Sequence, residues 1–307
     1  QFGDQLAANG CDSEAKRAEV LTQLKTEFDR RSRLDAEAVK RIRVIQADYT
    51  PRHPEVYHLD DKYLRNQFRD VVDRCKRGDT LSQVLPFVDV IDAQKRVYKL
   101  EVFTEEFCRK LVEEVDHFNA SSVPKGRPNT MNNYGILLNE LGFDDHFLTP
   151  LREHYLNPMA RVLFPDWVGG GAGGLDSHRA FTIKYSASAD AELFTHFDNS
   201  EVTLNVCLGK EFAGSEVYFA NFRTERRVSA AEAAVTAVEH RPGVGLIHLG
   251  QQMHGTLPVS DGERQNLVVW MRSSAVRNRL CPMCDLKPEP IPAIGFGDGF
   301  TVDANES

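Results

Sequence analysis

The stretch His196-Phe197-Asp198-Asn199-Ser200-Glu201-Val202-Thr203-Leu204-Asn205-Val206 decides how the rest of the chain is read. In its second half Val202, Leu204, Val206 and then Leu208 alternate with Thr203, Asn205 and Cys207. That is the period of two expected of a β-strand with one face turned inward. Outward from it the same period recurs. Phe181, Ile183 and Tyr185 alternate with Thr182 and Lys184, Val217 and Phe219 make a shorter run, and Gly245–Leu249 and Leu267–Met271 supply two more. Ala230 to Val238 reads as a short helix or an extended insertion, and Pro258 to Gly262 as a turn. Many short strands broken by Gly and Pro, following a helical half, predict a sandwich or jelly roll with helices packed on one side.

Before Gly174 the texture is helical. Val20, Leu21, Leu24 and Phe28 recur at helical spacing, as do Tyr63, Leu64, Phe68, Val71 and Val72, with Gly78 as a stop signal. Thr104 offers an N-cap to a helix whose apolar face is Phe107, Leu111, Val115 and Phe118. A longer pattern from Phe147 to Leu163 should break or kink at Pro158. The glycine-rich run Gly169 to Gly174 lacks the strand-then-helix setting of a phosphate loop and reads as a connection. Three regions are expected: an N-terminal helical region over 1–92, the strand-rich domain over 93–275, and a Pro/Gly-rich tail over 276–307.

The 307 residues are 41% hydrophobic and 27% charged, an ordinary balance for a folded chain with one sizeable core. No run reaches the roughly 18 apolar residues of a membrane span. A net charge of −8 argues against a nucleic-acid partner. Six cysteines in a chain this long form no disulfide framework, so a reducing compartment, cytoplasmic or nuclear, is expected. Beginning at Gln1 rather than Met, the chain is expected to be a fragment or a processed product, and an upstream signal stays open.

Chemistry concentrates in four residues. His196 and Asp198, two apart on a strand, point to one face, and His254 arrives from a distant strand. Two histidines and a carboxylate are the facial set that holds Fe(II) with positions left open. Arg264, ten residues beyond His254, suits the second carboxylate of a 2-oxo acid, because guanidinium binds carboxylate through two parallel hydrogen bonds. Tyr185 could donate another from its hydroxyl, and Thr203 and Asn205 share a strand face that could line the same pocket. His248 reads as structural, while His240, before a turn, and His178, just before the first strand, could meet substrate at the barrel mouth. Cys281-Pro282-Met283-Cys284 supplies two of the four ligands a zinc site needs, and its role stays open.

The segments Tyr185…His196-Phe197-Asp198, Arg241-Pro242-Gly243-Val244-Gly245 and His254…Leu257-Pro258…Gly262…Arg264…Trp270 resemble the catalytic domain of 2-oxoglutarate- and Fe(II)-dependent oxygenases of the prolyl 4-hydroxylase type. The run from His196 to Val206 is similar to lysyl hydroxylase catalytic domains. With the C-terminal CxxC, the chain most resembles the 2-oxoglutarate and iron-dependent oxygenase domain-containing protein 2 group. The resemblance implies an α+β fold: a double-stranded β-helix (jelly-roll) core with supporting helices and an N-terminal helical region. It implies Fe(2+) held by His196, Asp198 and His254, and 2-oxoglutarate bound through Arg264 with Tyr185 and Asn205 as secondary contacts. L-ascorbate is implied as the agent that rescues over-oxidised iron. In related halogenases a small residue replaces the carboxylate ligand, so Asp198 speaks for hydroxylation. The expected activity is a dioxygenase that couples 2-oxoglutarate decarboxylation to succinate with hydroxylation of a C–H bond, on a protein lysyl or prolyl side chain. The competing expectation is a non-catalytic, metal-containing jelly-roll binding module.

Overall fold

Two antiparallel sheets face each other in the computed structural model, which describes residues 10–170, 173–224, 236–293 and 301–303. The larger runs in the order β1 (Asp89–Asp92), β2 (Val97–Glu101), β9 (Val244–Leu249), β5 (Val202–Gly209), β11 (Val259–Arg272) and β3 (Ser177–Ser186), with β6 (Phe212–Gly214) paired to the near end of β11. The smaller runs β4 (Leu193–His196), β10 (Gln252–Thr256), β7 (Val217–Phe222), β8 (Thr236–Val238). From β3 onward the chain crosses between the sheets at β3 to β4, β4 to β5, β6 to β7, β8 to β9, β9 to β10 and β10 to β11, which makes the core a jelly roll, as the run of short strands after a helical half predicted. A parallel pair, β12 (Ile291–Ala293) with β13 (Thr301–Asp303), lies in the tail.

Every residue of β5 is buried, because this strand is central and covered on both faces. β11 is the longest strand at 14 residues and pairs with three others. It begins earlier than the turn reading of Pro258–Gly262 allowed. Val259, Asp261 and Gly262 pair with β6, and Gly262 takes a left-handed φ of 75° with no room for a side chain, since a Cβ there would meet the Glu211 carbonyl oxygen at 2.1 Å. The Ala230–Val238 expectation falls mostly outside the described residues; Thr236–Val238 is a strand. Gly171 and Ala172 of the glycine run also lie outside them.

Of the helices α1 (Glu14–Asp48), α2 (Asn66–Lys76), α3 (Glu105–Ala120) and α4 (Asn157–Leu163), α2 and α3 pack against strands β2 and β5 of the larger sheet, α4 packs on α2, and α1 meets the short helix Leu138–Leu141. Thr104 caps α3 as expected, accepting from the Phe107 amide at 3.3 Å. One apolar core runs unbroken from Ile45 and Phe68 through Phe107 and Leu151 to Leu204 and Met271. Pro158 does not break its helix. A π-helical turn over Arg152–Leu156 widens the register just before it, so the missing amide falls in the first turn of α4, where none is needed.

A buried carboxylate ties the segment before α2 to the core. Glu114 on α3 is fully buried and accepts from the Tyr49 hydroxyl, the Tyr57 hydroxyl and the His53 amide, each at 2.7 Å. The loop around His53 is thereby held as structure. Farther back, α1 forms as its spacing predicts, but Leu21 and Leu24 are 63% and 60% exposed. Only its C-terminal part docks, through Ile45 and a fork of Arg41 onto Glu140 at 3.0 and 2.6 Å. Phe28 and the Arg30–Arg33 cluster have side chains outside the described residues.

Candidate active site

The smaller sheet brings the two histidines together. His196 on β4 and His254 on β10 are direct cross-strand partners, their ring centroids 4.4 Å apart. Asp198 follows β4 and is tied into place by its amide, which donates to the Gly250 carbonyl at 2.8 Å. His196 Nε2 lies 3.7 Å from one Asp198 oxygen and His254 Nε2 lies 3.7 Å from the other. All three ligand atoms fall within 4.8 Å of one another, and no other such cluster exists among the described residues.

The surroundings set the protonation and direction of each donor. His196 Nδ1 donates to the Phe194 carbonyl at 2.8 Å and His254 Nδ1 to the Gln252 carbonyl at 2.9 Å. Each ring's proton is thus on Nδ1, and both Nε2 lone pairs face Asp198. Burial, with His254 next, pushes His196 down to about 4, so at neutral pH it is an uncharged ligand. Thr203, on β5, donates its hydroxyl to Asp198 Oδ2 at 2.6 Å and is itself joined to Ser200 at 2.8 Å. His248 stands behind His254 with ring centroids 4.6 Å apart, and burial pushes it down to about 3. It is a packed neutral neighbour, as expected.

One face of β11 carries the rest of the site as Arg264, Asn266, Val268 and Trp270. Thr203 pairs with Trp270, Asn205 with Val268, and Tyr185 on β3 with Arg264. The pocket in front of His196, Asp198 and His254 is lined by Tyr185, Asn205, Thr203, Phe181, Val268 and Trp270, and by Asn129, Met131 and Asn132 from the loop that follows α3. Tyr185 is buried and accepts from Asn132 at 3.4 Å; Asn205 accepts from Asn266 at 2.6 Å. Trp270 has its indole plane set by an edge contact with Phe181 at 5.0 Å, and its N–H has no partner.

Arg264 lies at the far end of this face and is fully buried, and no carboxylate lies within salt-bridge distance of it among the described residues. Its N–H groups go to neutral acceptors instead: Asn266 Oδ1 at 2.9 Å, Ser215 Oγ at 3.0 Å, the Ser215 carbonyl, and His240 Nδ1 at 2.7 Å. Burial lowers its pKa, the signature of a cation held without a counter-charge. Such a site favours an anion from outside. His240 is not at the barrel mouth, where the sequence reading put it, but buried against Arg264; Ser215 and Asn266 had not been singled out in the sequence. The signal for His240 was weak: one histidine just before the Arg241-Pro242-Gly243 turn.

Comparison with known proteins now places the chain. Residues 45–169 match the OGFOD2-like domain, the helices and first two strands that precede the strands carrying His196 and His254. The chain is 45% identical over 300 residues, 98% of its length and 85% of the relative's, to 2-oxoglutarate and iron-dependent oxygenase domain-containing protein 2 of Danio rerio. It belongs to that family. The Xenopus tropicalis member is 48% identical over 297 residues, with 96% of this chain and 83% of that protein covered. Human procollagen-lysine,2-oxoglutarate 5-dioxygenase 1 is 28% identical over 180 residues, 55% of this chain and 23% of that protein.

As a family member the chain is a 2-oxoglutarate-dependent oxygenase. Its donor set fits the iron of the family name: two imidazoles and a carboxylate converge, with their outer hydrogen bonds already made. His196, Asp198 and His254 are the residues that would hold it. No helix among the described residues is long and apolar enough to cross a membrane.

Proposed function

We propose that this oxygenase hydroxylates a C–H bond of a protein side chain, lysyl or prolyl, while 2-oxoglutarate is converted to succinate and carbon dioxide. One oxygen atom of O₂ enters succinate and the other enters the hydroxyl group. The observation that carries the reading is a complete facial ligand set together with a buried guanidinium that has no carboxylate partner among the described residues, on the face of β11 whose Val268 and Trp270 line the pocket. Iron held there would supply the activation of O₂.

This chain's own residues do the rest. Arg264 seats the far carboxylate of 2-oxoglutarate, with Tyr185 and Asn205 beside it. The free Trp270 N–H and the amides of Asn129 and Asn132 offer hydrogen bonds to a peptide, between apolar walls of Phe181 and Val268. The procollagen-lysine relative supports a protein substrate. L-ascorbate is the reductant expected to restore over-oxidised iron. All six cysteines are free, which supports work in a reducing compartment, cytoplasmic or nuclear.

The test is succinate formation with Fe(II), 2-oxoglutarate and a peptide library, with mass spectrometry for peptides that gain one oxygen atom. His196→Ala should abolish succinate release. Arg264→Ala should raise the 2-oxoglutarate requirement by about 2–5 kcal/mol equivalent, the cost of removing one partner of a buried charge contact. Equal turnover by His196→Ala and the parent would overturn the reading.

A further inference from the structure

The Cys281-Pro282-Met283-Cys284 segment has no place in the chemistry above, yet it connects physically to the ligand set. The Cys281 amide donates to the Leu286 carbonyl at 2.8 Å, the Asp285 amide to the Cys281 carbonyl at 3.0 Å, and the Met283 amide to Cys281 Sγ at 3.4 Å. The result is a closed turn that presents Asp285 at a left-handed φ of 59°. Asp285 receives the guanidinium of Arg223, the residue that follows β7. The other side of that guanidinium donates to Gln251 Oε1 at 2.5 Å, the Arg223 amide donates to the Gln251 carbonyl at 3.1 Å, and its Cζ sits 5.1 Å from the centre of the Phe197 ring.

Gln251 is 2% exposed and hands the contact on: its Nε2 donates to the Asp198 carbonyl at 3.3 Å. Its neighbour Gln252 offers the carbonyl that fixes His254 Nδ1. The dipeptide Gln251-Gln252 therefore touches two of the three ligands, one through a side chain and one through the backbone. Arg223 is what braces it, and Arg223 also covers Phe197, the residue between His196 and Asp198.

We propose that Arg223, with Asp285 and Gln251, is a positioning relay that orients His196, Asp198 and His254, and that the CxxC turn is its anchor rather than a second metal site. The inference rests on the reading of those three residues as metal ligands. Outer contacts of this kind are worth about 10–100-fold in metal affinity. Loss of Arg223 frees Gln251 to rotate and removes the cover from Phe197, so the ligand segment samples directions that no longer converge.

Co(II) serves as the probe, its affinity and dissociation rate measured by chelator competition on the full chain. Arg223→Ala and Gln251→Leu should each weaken Co(II) about tenfold or more and speed its release. Asp285→Asn, at a half-exposed position that leaves the fold intact, should show a smaller loss in the same direction. The double variant of Arg223→Ala with Asp285→Asn should be no worse than Arg223→Ala alone. Glu114→Gln lowers stability far from the centre and serves as the control for mere loosening; it should keep the parent's affinity. Unchanged Co(II) affinity in Arg223→Ala overturns the relay, as does an equal loss in Glu114→Gln. Failure of the parent chain to bind Co(II) overturns the metal-centre reading and the relay with it.

Discussion

His240 Nδ1 accepts a hydrogen bond from Arg264 Nη2 at 2.7 Å, deep beneath the pocket. Burial, with the Arg264 charge next, holds His240 well below the usual histidine range, so the imidazole is neutral and can accept. His240→Phe keeps the ring volume and removes the acceptor. It should raise KM for 2-oxoglutarate about 5–100-fold, the equivalent of one unmet buried hydrogen bond, while kcat changes little. His240→Asn, which retains an acceptor, should recover part of the loss. A fall in kcat with unchanged KM would place His240 elsewhere in the mechanism.

Thr203 holds Asp198 by a 2.6 Å hydrogen bond from a strand that the metal never touches. Thr203→Val is nearly isosteric and removes only the hydroxyl. The expected result is a loss of metal affinity of about 10-fold or more, read by chelator competition, with an intact melting profile of the metal-free protein.

Glu114 gathers three donors from Tyr49, His53 and Tyr57. Removing it as Glu114→Ala leaves those donors buried without an acceptor, at about 1–3 kcal/mol for each one that water cannot reach. Burial first, and then the bond to Glu114, pushes both tyrosine hydroxyls above their usual range, so neither can lose its proton to compensate. A lowered denaturation midpoint should appear with metal affinity preserved.

Glu263 supplies a pH test remote from the metal ligands. Burial alone would raise its pKa, but hydrogen bonds from Lys184, Lys210 and Gln265 bring it down to about 2. Its folded pKa is below its unfolded one, so the stabilisation is complete above the ordinary value of 4.5 and is lost as pH falls toward 2. The parent should be more stable than Glu263→Gln at pH 6, and the difference should shrink between pH 4.5 and about 2. Because these partners are partly exposed, salt should reduce the difference as well.

The ligand trio was legible because it depends on rules that act over short distances. Side-chain alternation drew attention to His196 and Asp198, although β4 ends at His196 and Asp198 reaches the cluster from the segment after it, held by its amide on the Gly250 carbonyl; the apolar periods on either side set the strands that carry His254 and Arg264. Contacts set by tertiary placement were not legible. Nothing in the spacing joins His240 to Arg264, Thr203 to Asp198 or Glu114 to Tyr49, since each pair meets only after the sheets close. Pro158 misled for a related reason: the π turn that accommodates it depends on packing, while the expectation of a break is local. Leu21 and Leu24 formed the helix their spacing called for, but helical spacing alone does not say that a stripe will be covered.

β11 carries Arg264 and Trp270 on one uninterrupted strand face, six residues apart. A slip of one residue against β3 and β5 would turn both side chains to the opposite face together, along with Asn266 and Val268. The two ends of the pocket are therefore inherited as a unit: no misregistered form can keep the grip on the co-substrate while losing the wall that meets the acceptor. For the proposed reaction, that linkage is a safeguard, because folding either delivers both ends of the pocket or neither.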